Sequence, residues 1–198
     1  MPVKNPSVIL LAGPNGVGKT TAAPALLKGA LGVMEFVNAD TIARGLAGFD
    51  PERAAIPAGK VMLARLKELA DRRVSFAFES TLASRTFAPW LGNLIAHGYT
   101  FHLVFLWLPT PDFAVDRVAD RVKMGGHDVP EPTIRRRYSA GLRNFFQLYQ
   151  TLAATWQVYD NSAPSGMRLI AAGRRAIIDR VDDEPLWATI RGGYARGS

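Results

Sequence analysis

The sequence predicts an α/β fold, a three-layer sandwich in which helices cover both faces of a mostly parallel sheet. Two observations support this class. Short apolar runs that end at glycine or polar residues alternate along the chain with segments whose apolar residues recur every three or four positions. The chain has 198 residues, 48% of them apolar, which suffices for one substantial core and is short for two. We therefore expect a single domain over residues 1–198.

The first half of the chain contains three predicted strands. The first of them is wholly apolar, begins with Val8 and Ile9 and is closed by glycine, as is typical of a buried parallel strand. This half also contains a predicted helix over 51–72. Pro51 is placed to start that helix, and Pro57 is expected to break or kink it early. The elements predicted in this half are strands over 8–12, 35–38 and 75–79 and helices over 20–31 and 51–72.

The second half continues the alternation and closes with a pair of strands. Residues 101–108 are almost uninterruptedly apolar and give the clearest strand signal after the first. Gly125 and Gly126 force a loop, and beyond it apolar residues recur at helical spacing from Ile134 to Leu152. The elements predicted here are helices over 87–97, 111–124 and 134–152 and strands over 101–108, 156–159 and 167–171.

A glycine-rich loop, Gly-Pro-Asn-Gly-Val-Gly-Lys-Thr-Thr, joins the first strand to the first helix. Nucleotide phosphates need several donors converging on a small volume, and glycines let backbone N–H groups turn inward where a Cβ would clash. The helix N-terminus adds further N–H donors, Lys19 can reach the β- and γ-phosphates, and the Thr20 hydroxyl can ligate Mg²⁺. The alternative is a structural turn with an incidental Lys-Thr pair.

This loop indicates a P-loop NTPase fold that binds ATP or GTP together with Mg²⁺. It makes the expected unit a single P-loop kinase domain, in which Thr20 is the metal ligand. The residues that we expect to contact the nucleotide in this loop are Gly13, Pro14, Asn15, Gly16, Val17, Gly18, Lys19, Thr20 and Thr21.

Two acidic residues follow the second and third predicted strands, at the edge where parallel sheets bind ligands. Asp40 can accept the proton of an acceptor hydroxyl or hold Mg²⁺ through water, and its structural alternative is the N-cap of a short helix starting at Thr41. Glu79 can hold a water molecule that is bound to the metal, or it can accept a hydrogen bond from a substrate hydroxyl. Thr81 could add a further donor. A plain strand end is the alternative for Glu79, although a carboxylate between apolar residues is costly without a partner.

Arginines on both sides of the glycine loop predict a mobile basic lid over roughly residues 117–137. Arg117 and Arg121 are four residues apart and share a helix face, and Arg136 lies beyond the loop. Guanidinium groups supplied on closure would stabilise the charge on a transferring phosphoryl group and exclude water. We expect all three arginines to contact the nucleotide and Arg121 to be catalytic, with solvated helix arginines as the open alternative.

The overall composition narrows the classes of function. Cysteine is absent, which excludes disulfides, thiolate metal sites and thiol redox chemistry. No apolar stretch approaches the roughly 20 residues that cross a bilayer, so we expect a cytoplasmic protein without membrane contact. A net charge of +7 suits nucleic acid, but a triphosphate site also collects basic residues. No recognised nucleic-acid motif or polybasic tail is found, so nucleic acid ranks second as a partner.

Taken together, these motifs resemble the zeta-toxin family of P-loop kinases over roughly residues 7–162. The resemblance implies a kinase that transfers the γ-phosphate of ATP or GTP to the 3′-hydroxyl of a UDP-N-acetyl amino sugar, such as UDP-N-acetylglucosamine. It also implies an antitoxin protein as partner. The motifs that carry it are, in order, the phosphate loop, Asn38-Ala39-Asp40, Phe78-Glu79-Ser80-Thr81-Leu82, and Arg121 with Gly125-Gly126-His127.

The resemblance also implies roles for individual residues. By matching position, Asp40 is the base, Glu79 and Thr81 contact the substrate, and Lys19 and the lid arginines contact the nucleotide. Where the family has a substrate-binding arginine two residues after the threonine, this chain has alanine. The nearest arginine is Arg85, which we take as the corresponding substrate contact.

Two other functions stay open from the residues alone. A P-loop ATPase or polynucleotide kinase acting on nucleic acid would bind oligonucleotides in a salt-sensitive way. A nucleotide-binding module without turnover would keep its cellular effects after the substitution Asp40→Asn. An ABC-type ATPase is disfavoured, because the chain has no Leu-Ser-Gly-Gly signature.

Overall fold

A seven-stranded sheet forms the centre of the structure, a computed structural model that describes residues 5–30, 32–48 and 53–194. The strands are β1 (Ser7–Ala12), β2 (Glu35–Val37), β3 (Phe76–Ser80), β4 (Thr100–Trp107), β5 (Thr155–Asp160), β6 (Arg168–Arg174) and β7 (Ile177–Val181). They lie in the order β2-β3-β1-β4-β5-β6-β7. The first five are parallel, whereas β6 and β7 are antiparallel to their neighbours, which confirms the mostly parallel sheet.

Helices connect the strands and complete the predicted three-layer sandwich. The helices are α1 (Lys19–Ala23), α2 (Ala39–Leu46), α3 (Ala55–Asp71), α4 (Phe87–Ala96), α5 (Pro111–Lys123), α6 (Glu131–Asn144), α7 (Gln150–Leu152) and α8 (Glu184–Tyr194). Two π-helical segments, Pro24–Ala30 and Phe145–Tyr149, extend α1 and α6. We call α5, residues 124–130 and α6 the α5–α6 hairpin, which occupies the position of the predicted helical lid.

The central strand β1 explains why the first apolar run is uninterrupted. It pairs with β3 on one side and with β4 on the other, and its residues from Val8 to Ala12 are fully buried. Ala12 pairs with Ser80, so the phosphate loop and Glu79 emerge at the same edge of the sheet. Val37 of β2 pairs with Phe78, which brings the start of α2 to that edge as well.

The helix predicted over 51–72 is observed as α3, which begins at Ala55. Pro51 lies outside the described residues. Pro57 lies in the first turn of α3, where the missing N–H of proline would have had no helical partner in any case. The expected break or kink at Pro57 is therefore wrong, and the proline is compatible with the start of the helix.

The part of the chain beyond residue 163 forms more structure than the sequence suggested. The strand predicted over 167–171 is observed as β6, and β7 and α8 were not predicted. The α8 residue Trp187 is buried and stacks on Trp156 of β5, with ring centroids 5.6 Å apart. Arg174 and Asp179 form an ion pair in the hairpin of β6 and β7. Within the described ranges, no helix is long and apolar enough to cross a membrane.

Candidate functional site

Glycines shape the phosphate loop at positions where a side chain would collide with the backbone. At Gly13, whose φ is 141°, an added Cβ would lie 2.3 Å from the carbonyl oxygen of Leu106 in β4. At Gly16, whose φ is 76°, it would lie 2.8 Å from the carbonyl oxygen of Ala114 in α5. Gly18, with a φ of 85°, turns the chain into α1. The backbone of residues 13–18 is thus packed closely against β4 and α5 and forms a narrow concave loop, as a polyphosphate site requires. We call this loop the cradle.

Lys19 is 7% exposed, and its ammonium group is held against the loop that precedes it. Its Nζ donates hydrogen bonds to the carbonyl oxygens of Gly13 and Pro14, at 2.9 and 3.0 Å, and lies 3.6 Å from Glu79 Oε1. Burial lowers the pKa of Lys19, and the negative charges of Glu79 and Asp40 oppose that shift. The lysine is therefore a desolvated cation at the mouth of the cradle, suited to an anionic ligand.

The Glu79 carboxylate joins three segments of the chain. Thr20 Oγ1 donates a hydrogen bond to Glu79 Oε2 at 3.0 Å, and Asn38 Nδ2 donates to the same oxygen at 2.6 Å. Asn38 Nδ2 also donates to Thr20 Oγ1 at 3.2 Å. The side chain of Glu79 is 10% exposed, so these donors and Lys19 compensate a carboxylate that would otherwise be costly to bury.

Asp40 lies in the first turn of α2, with an exposed side chain. The N-cap of this helix is Asn38, whose Oδ1 accepts a hydrogen bond from the backbone N–H of Thr41 at 3.0 Å. The alternative that made Asp40 an N-cap, with a helix starting at Thr41, is therefore wrong. Since no side chain of the described residues donates a hydrogen bond to the Asp40 carboxylate, this group is available to a ligand in the cleft.

Two adjoining cavities meet at the edge of the sheet. One, of about 370 Å³, is bounded by the phosphate loop, α1 and α5, and a second, of about 220 Å³, by β3, α2, α3 and α6. Both are lined by Asn15, Lys19, Asp40 and Glu79. The larger cavity is further lined by Gly16, Gly18, Thr20, Thr21, Arg117, Asp120, Arg121 and Met124. The smaller is further lined by Asn38, Ala39, Met62, Ser80, Thr81, Phe87 and Arg137.

Two of the predicted lid arginines, Arg117 and Arg121, line the larger cavity. Arg117 Nη2 donates to the carbonyl oxygen of Ser162 at 2.7 Å, and its guanidinium lies 5.1 Å from the ring centroid of Phe113. Arg121 Nη2 donates to the carbonyl oxygen of His127. Arg121 Nε is buried and has no hydrogen-bond partner among the described residues. Both side chains are therefore anchored beside the cradle, with donor capacity left for a ligand.

The other two arginines singled out in the sequence lie elsewhere. Arg136 is exposed and lines neither of these cavities, and the same holds for Arg85. The neighbouring Arg137 is half-buried and lines the smaller cavity. Successive residues of an α-helix point about 100° apart, so a shift of one position exchanges a solvent-facing arginine for one that faces the site.

The long helix α6 holds the segment that carries Thr81. A Cβ added at Gly141 would lie 2.4 Å from the carbonyl oxygen of Thr81, so the two backbones are in close contact. Asn144 Nδ2 donates to the carbonyl oxygen of Leu82 at 2.7 Å, and Leu82 has a φ of 56°, rare for a branched residue. Packing against α6 thus fixes the wall of the smaller cavity that contains Thr81.

Three residues of the site were not assigned a role from the sequence: Asn38, Arg137 and Asn161. Asn161 Nδ2 donates to the carbonyl oxygen of Val17 at 2.7 Å and so supports the phosphate loop from the end of β5. Asn38 and Asn161 both stand at the carboxyl ends of predicted strands. The rule that ligands bind at the carboxyl ends of parallel strands, which selected Asp40, could have selected these two asparagines as well. Arg137 could be selected only with knowledge of the orientation of α6.

The larger cavity has the features that a magnesium nucleotide requires. The cradle at Gly13 and Gly16 has no space for a Cβ, and a buried ammonium group faces it. Asn15 Oδ1 is buried without a hydrogen-bond partner among the described residues, as is Arg121 Nε. Within the same ranges, no cluster of three or more His, Asp or Glu side chains could hold a metal by itself. Mg²⁺ in such a site takes most of its ligands from phosphate and water.

Comparisons with known proteins agree with this geometry. The family described as AAA domain matches residues 8–145, which is more than half of the chain. The crystal structure of AvrRxo1-ORF1:AvrRxo1-ORF2 with sulphate ions is similar, with a TM-score of 0.73 and 18% identity. That match covers 98% of this chain and 65% of the other, so this chain spans less than two thirds of its length.

Two further solved structures share the fold. The PezAT chromosomal toxin-antitoxin system of Streptococcus pneumoniae matches with a TM-score of 0.68 and 16% identity, over 99% of this chain and 81% of that chain. A gluconokinase from Sinorhizobium meliloti matches with a TM-score of 0.51 and 16% identity, over 82% and 86%. At these identities the likeness concerns the fold, and it confirms the P-loop kinase fold that the zeta-toxin resemblance implied.

Proposed function

Because this chain belongs to the AAA domain family, whose match includes the phosphate loop, we propose that it is an ATP- or GTP-dependent phosphotransferase. Its acceptor is a hydroxyl group of a small molecule. The position of Asp40 carries the proposal, since this carboxylate lies between a cradle suited to polyphosphate and a second cavity lined by hydrogen-bonding side chains. The folds shared with the PezAT system and with a gluconokinase support the kinase class.

The larger cavity would hold the nucleotide. Backbone N–H groups of the phosphate loop surround the phosphates, Lys19 approaches the β- and γ-phosphates, and Arg117 and Arg121 face them from α5. Arg136 would join them only if the α5–α6 hairpin moved, because its side chain now faces solvent. Domain boundaries at 1–198 and a lid over 117–137 belong to the same proposal.

Thr20 would be the direct protein ligand of Mg²⁺. Its hydroxyl proton is directed at Glu79 Oε2 and one of its lone pairs accepts from Asn38 Nδ2, which leaves the other lone pair for a metal. Glu79 and Asp40 would act on the ion through water, since Mg²⁺ keeps several waters when it binds phosphates.

The chain's own residues then account for the chemistry. A bound magnesium nucleotide supplies the phosphoryl group to be transferred. Asp40 accepts the proton of the acceptor hydroxyl, while Lys19 and Arg121 stabilise negative charge on the phosphate oxygens. Glu79 and Thr81 contribute hydrogen bonds that orient the acceptor.

The zeta-toxin resemblance supports UDP-N-acetylglucosamine as the first acceptor to test, and an antitoxin as a protein partner. The fold shared with a toxin-antitoxin system supports the partner. Arg85, the proposed substrate contact of this acceptor, would reach it only at the outer rim, because its side chain is exposed and outside the smaller cavity.

A phosphoryl-transfer screen tests the proposed function. The pure protein is incubated with Mg²⁺, either ATP or GTP, and each member of a panel of UDP-sugars, nucleosides and small sugars. Mass spectrometry then identifies the products. We expect at least one acceptor to gain a phosphoryl group, and Lys19→Ala to remove the product while the protein stays folded. A panel in which no compound is phosphorylated would contradict the proposal.

The net charge of +7 favours one further function, a polynucleotide kinase or ATPase acting on nucleic acid. Such an activity predicts oligonucleotide binding whose affinity falls steeply with salt. If the protein binds no oligonucleotide at low salt, this function is excluded.

A further inference from the structure

The smaller cavity contains a guanidinium group that the roles assigned so far do not use. Arg137 lines this cavity together with Asp40, Glu79 and Lys19. It does not line the larger cavity, whose guanidinium groups are those of Arg117 and Arg121. The two cavities therefore have separate arginines, one pair beside the phosphate loop and one residue on the acceptor side.

Arg137 differs from the other arginines that line the two cavities in having no hydrogen-bond or ion-pair partner among the described residues. Arg117 and Arg121 each donate to a backbone carbonyl oxygen, and Arg135 forms ion pairs with Asp112 and Glu131. Among residues 5–30, 32–48 and 53–194, no hydrogen bond or ion pair is made by the Arg137 side chain. Its five N–H donors therefore face the cavity or solvent.

Burial makes this arrangement costly in the absence of a ligand. The Arg137 side chain is half-buried, and loss of solvent lowers its pKa, with the negative charge of Asp40 opposing the shift. Glu79 already has Lys19 as its counter-charge, and no ion pair joins Asp40 to Arg137 within the described residues. An anionic group on a ligand would restore the hydrogen bonds and charge that the guanidinium lacks.

The remaining walls limit the kind of molecule that bears this anion. Met62 and Phe87 supply apolar surface, and Ser80, Thr81 and Asn38 supply hydrogen-bonding groups. The volume of about 220 Å³ is below the range of about 300–1,000 Å³ that is typical for drug-sized ligands. The cavity thus fits a compact polar group with one apolar face, held beside Asp40.

We propose that Arg137 binds an anionic group of the acceptor, a carboxylate or a phosphate, and so selects hydroxyl compounds that carry such a group close to the reacting hydroxyl. This inference rests on the proposed function. A sugar phosphate, the diphosphate of a UDP-sugar and a sugar acid share this chemistry, while neutral sugars lack it.

Binding measurements test the inference without requiring turnover. The full chain is first saturated with Mg²⁺ and a non-hydrolysable ATP analogue, so that the phosphate loop is filled. Glucose 1-phosphate, gluconate and UDP-N-acetylglucosamine are then titrated by calorimetry, with glucose and N-acetylglucosamine as neutral counterparts. We expect at least one anionic compound to bind at least tenfold more tightly than its neutral counterpart.

Three substitutions on α6 separate the role of Arg137 from general charge. Arg137→Gln should weaken binding of that anionic compound about ten- to hundred-fold and leave affinity for the ATP analogue unchanged. Arg137→Lys should give an intermediate loss, since it keeps the charge without the planar fork. Arg143→Gln, at an exposed position on the same helix that lines neither cavity, should change neither affinity.

The outcomes that overturn the inference are distinct from failure of the kinase proposal. Equal affinity of the wild type and Arg137→Gln for every anion would overturn it, as would a loss confined to the ATP analogue. Absence of anion binding by the saturated wild type would do the same. If anions bind through Arg137 but no phosphoryl group is transferred to any acceptor of the panel, the anion site at Arg137 stands and the kinase proposal fails.

Discussion

Asn38 has two structural functions at the residue scale, because its side chain both caps α2 and donates to Glu79. The helix cap, the buried carboxylate of Glu79 and the hydroxyl of Thr20, the proposed metal ligand, are therefore linked through one amide group. A change at this residue should disturb stability and the site together.

Asn38→Ala is expected to destabilise the protein by about 2–4 kcal/mol, because it removes a helix cap and a donor to a buried carboxylate. Urea denaturation measures this loss. Thr110→Ala is the matched control: Thr110 caps α5 by accepting from the backbone N–H of Phe113 at 3.1 Å and touches no carboxylate of the site. It should cost about 1 kcal/mol and keep activity. Equal losses in the two variants would show that Asn38 acts as a cap alone.

Asp40→Asn should lower kcat about 10²–10⁴-fold and leave nucleotide affinity and stability nearly unchanged. The reason is that an amide cannot accept the hydroxyl proton, while the Asp40 side chain is exposed and makes no hydrogen bond or ion pair with the described residues. Steady-state kinetics and nucleotide titration measure the two effects. Asp120→Asn, which changes another carboxylate of the larger cavity, should keep kcat within a few fold. Full activity of Asp40→Asn would exclude this residue as the base.

At the scale of elements, α6 and the segment after β3 depend on each other through Gly141. A methyl group at this position would lie 2.4 Å from the carbonyl oxygen of Thr81 and would force the helix away from the wall of the smaller cavity. Gly141→Ala should therefore destabilise the protein by about 1–3 kcal/mol in urea denaturation and raise the KM for the acceptor.

Gly59→Ala in α3 provides the control for that substitution. An added Cβ at Gly59 meets nothing within 4 Å, so alanine should stabilise the helix by about 0.5–1 kcal/mol. If both alanine variants were stabilised, the close packing of α6 on Thr81 would be disproved.

The two central strands β1 and β4 were predictable because each is a nearly uninterrupted apolar run, over residues 8–12 and 101–108. β7 could not be predicted from the sequence. Ile177 and Ile178 are both exposed and are followed by the charged Asp179 and Arg180, so the strand shows no alternation of apolar and polar residues. The short helix α2 was weighed only as an alternative, and its cap proved to be Asn38 rather than Asp40.

Much of the candidate site follows from one topological rule, that parallel strands present their ligand-binding residues at their carboxyl ends. This rule brings together the phosphate loop, Asp40 and Glu79 in the sequence and in the structure. The rule gives no information about α6, which is not part of the sheet and supplies Arg137 to the smaller cavity. The choice between Arg136 and Arg137 depends on the rotation of α6, which an error of one residue changes by about 100°.

At the scale of the whole molecule, a ligand that binds only the folded chain must raise its stability. Saturation with Mg²⁺ and ATP at about 100 times Kd should add about 2.7 kcal/mol, or about 5–10 °C in Tm for a chain of this size. Thermal unfolding followed by fluorescence measures the shift. Lys19→Ala should show little or none of it, and a shift equal to that of the wild type would exclude the lysine from nucleotide binding.

The hairpin of β6 and β7 leaves β7 as the last strand of the sheet, and no other strand of the described residues pairs with its outer side. Such an edge is a template for self-association into fibrils. Here it is flanked by ion pairs of Arg174 with Asp179 and of Arg180 with Asp182. An approaching strand of another copy would have to strip water from these charges before it could pair. The charged hairpin therefore protects the protein against aggregation at the end of the sheet farthest from β2.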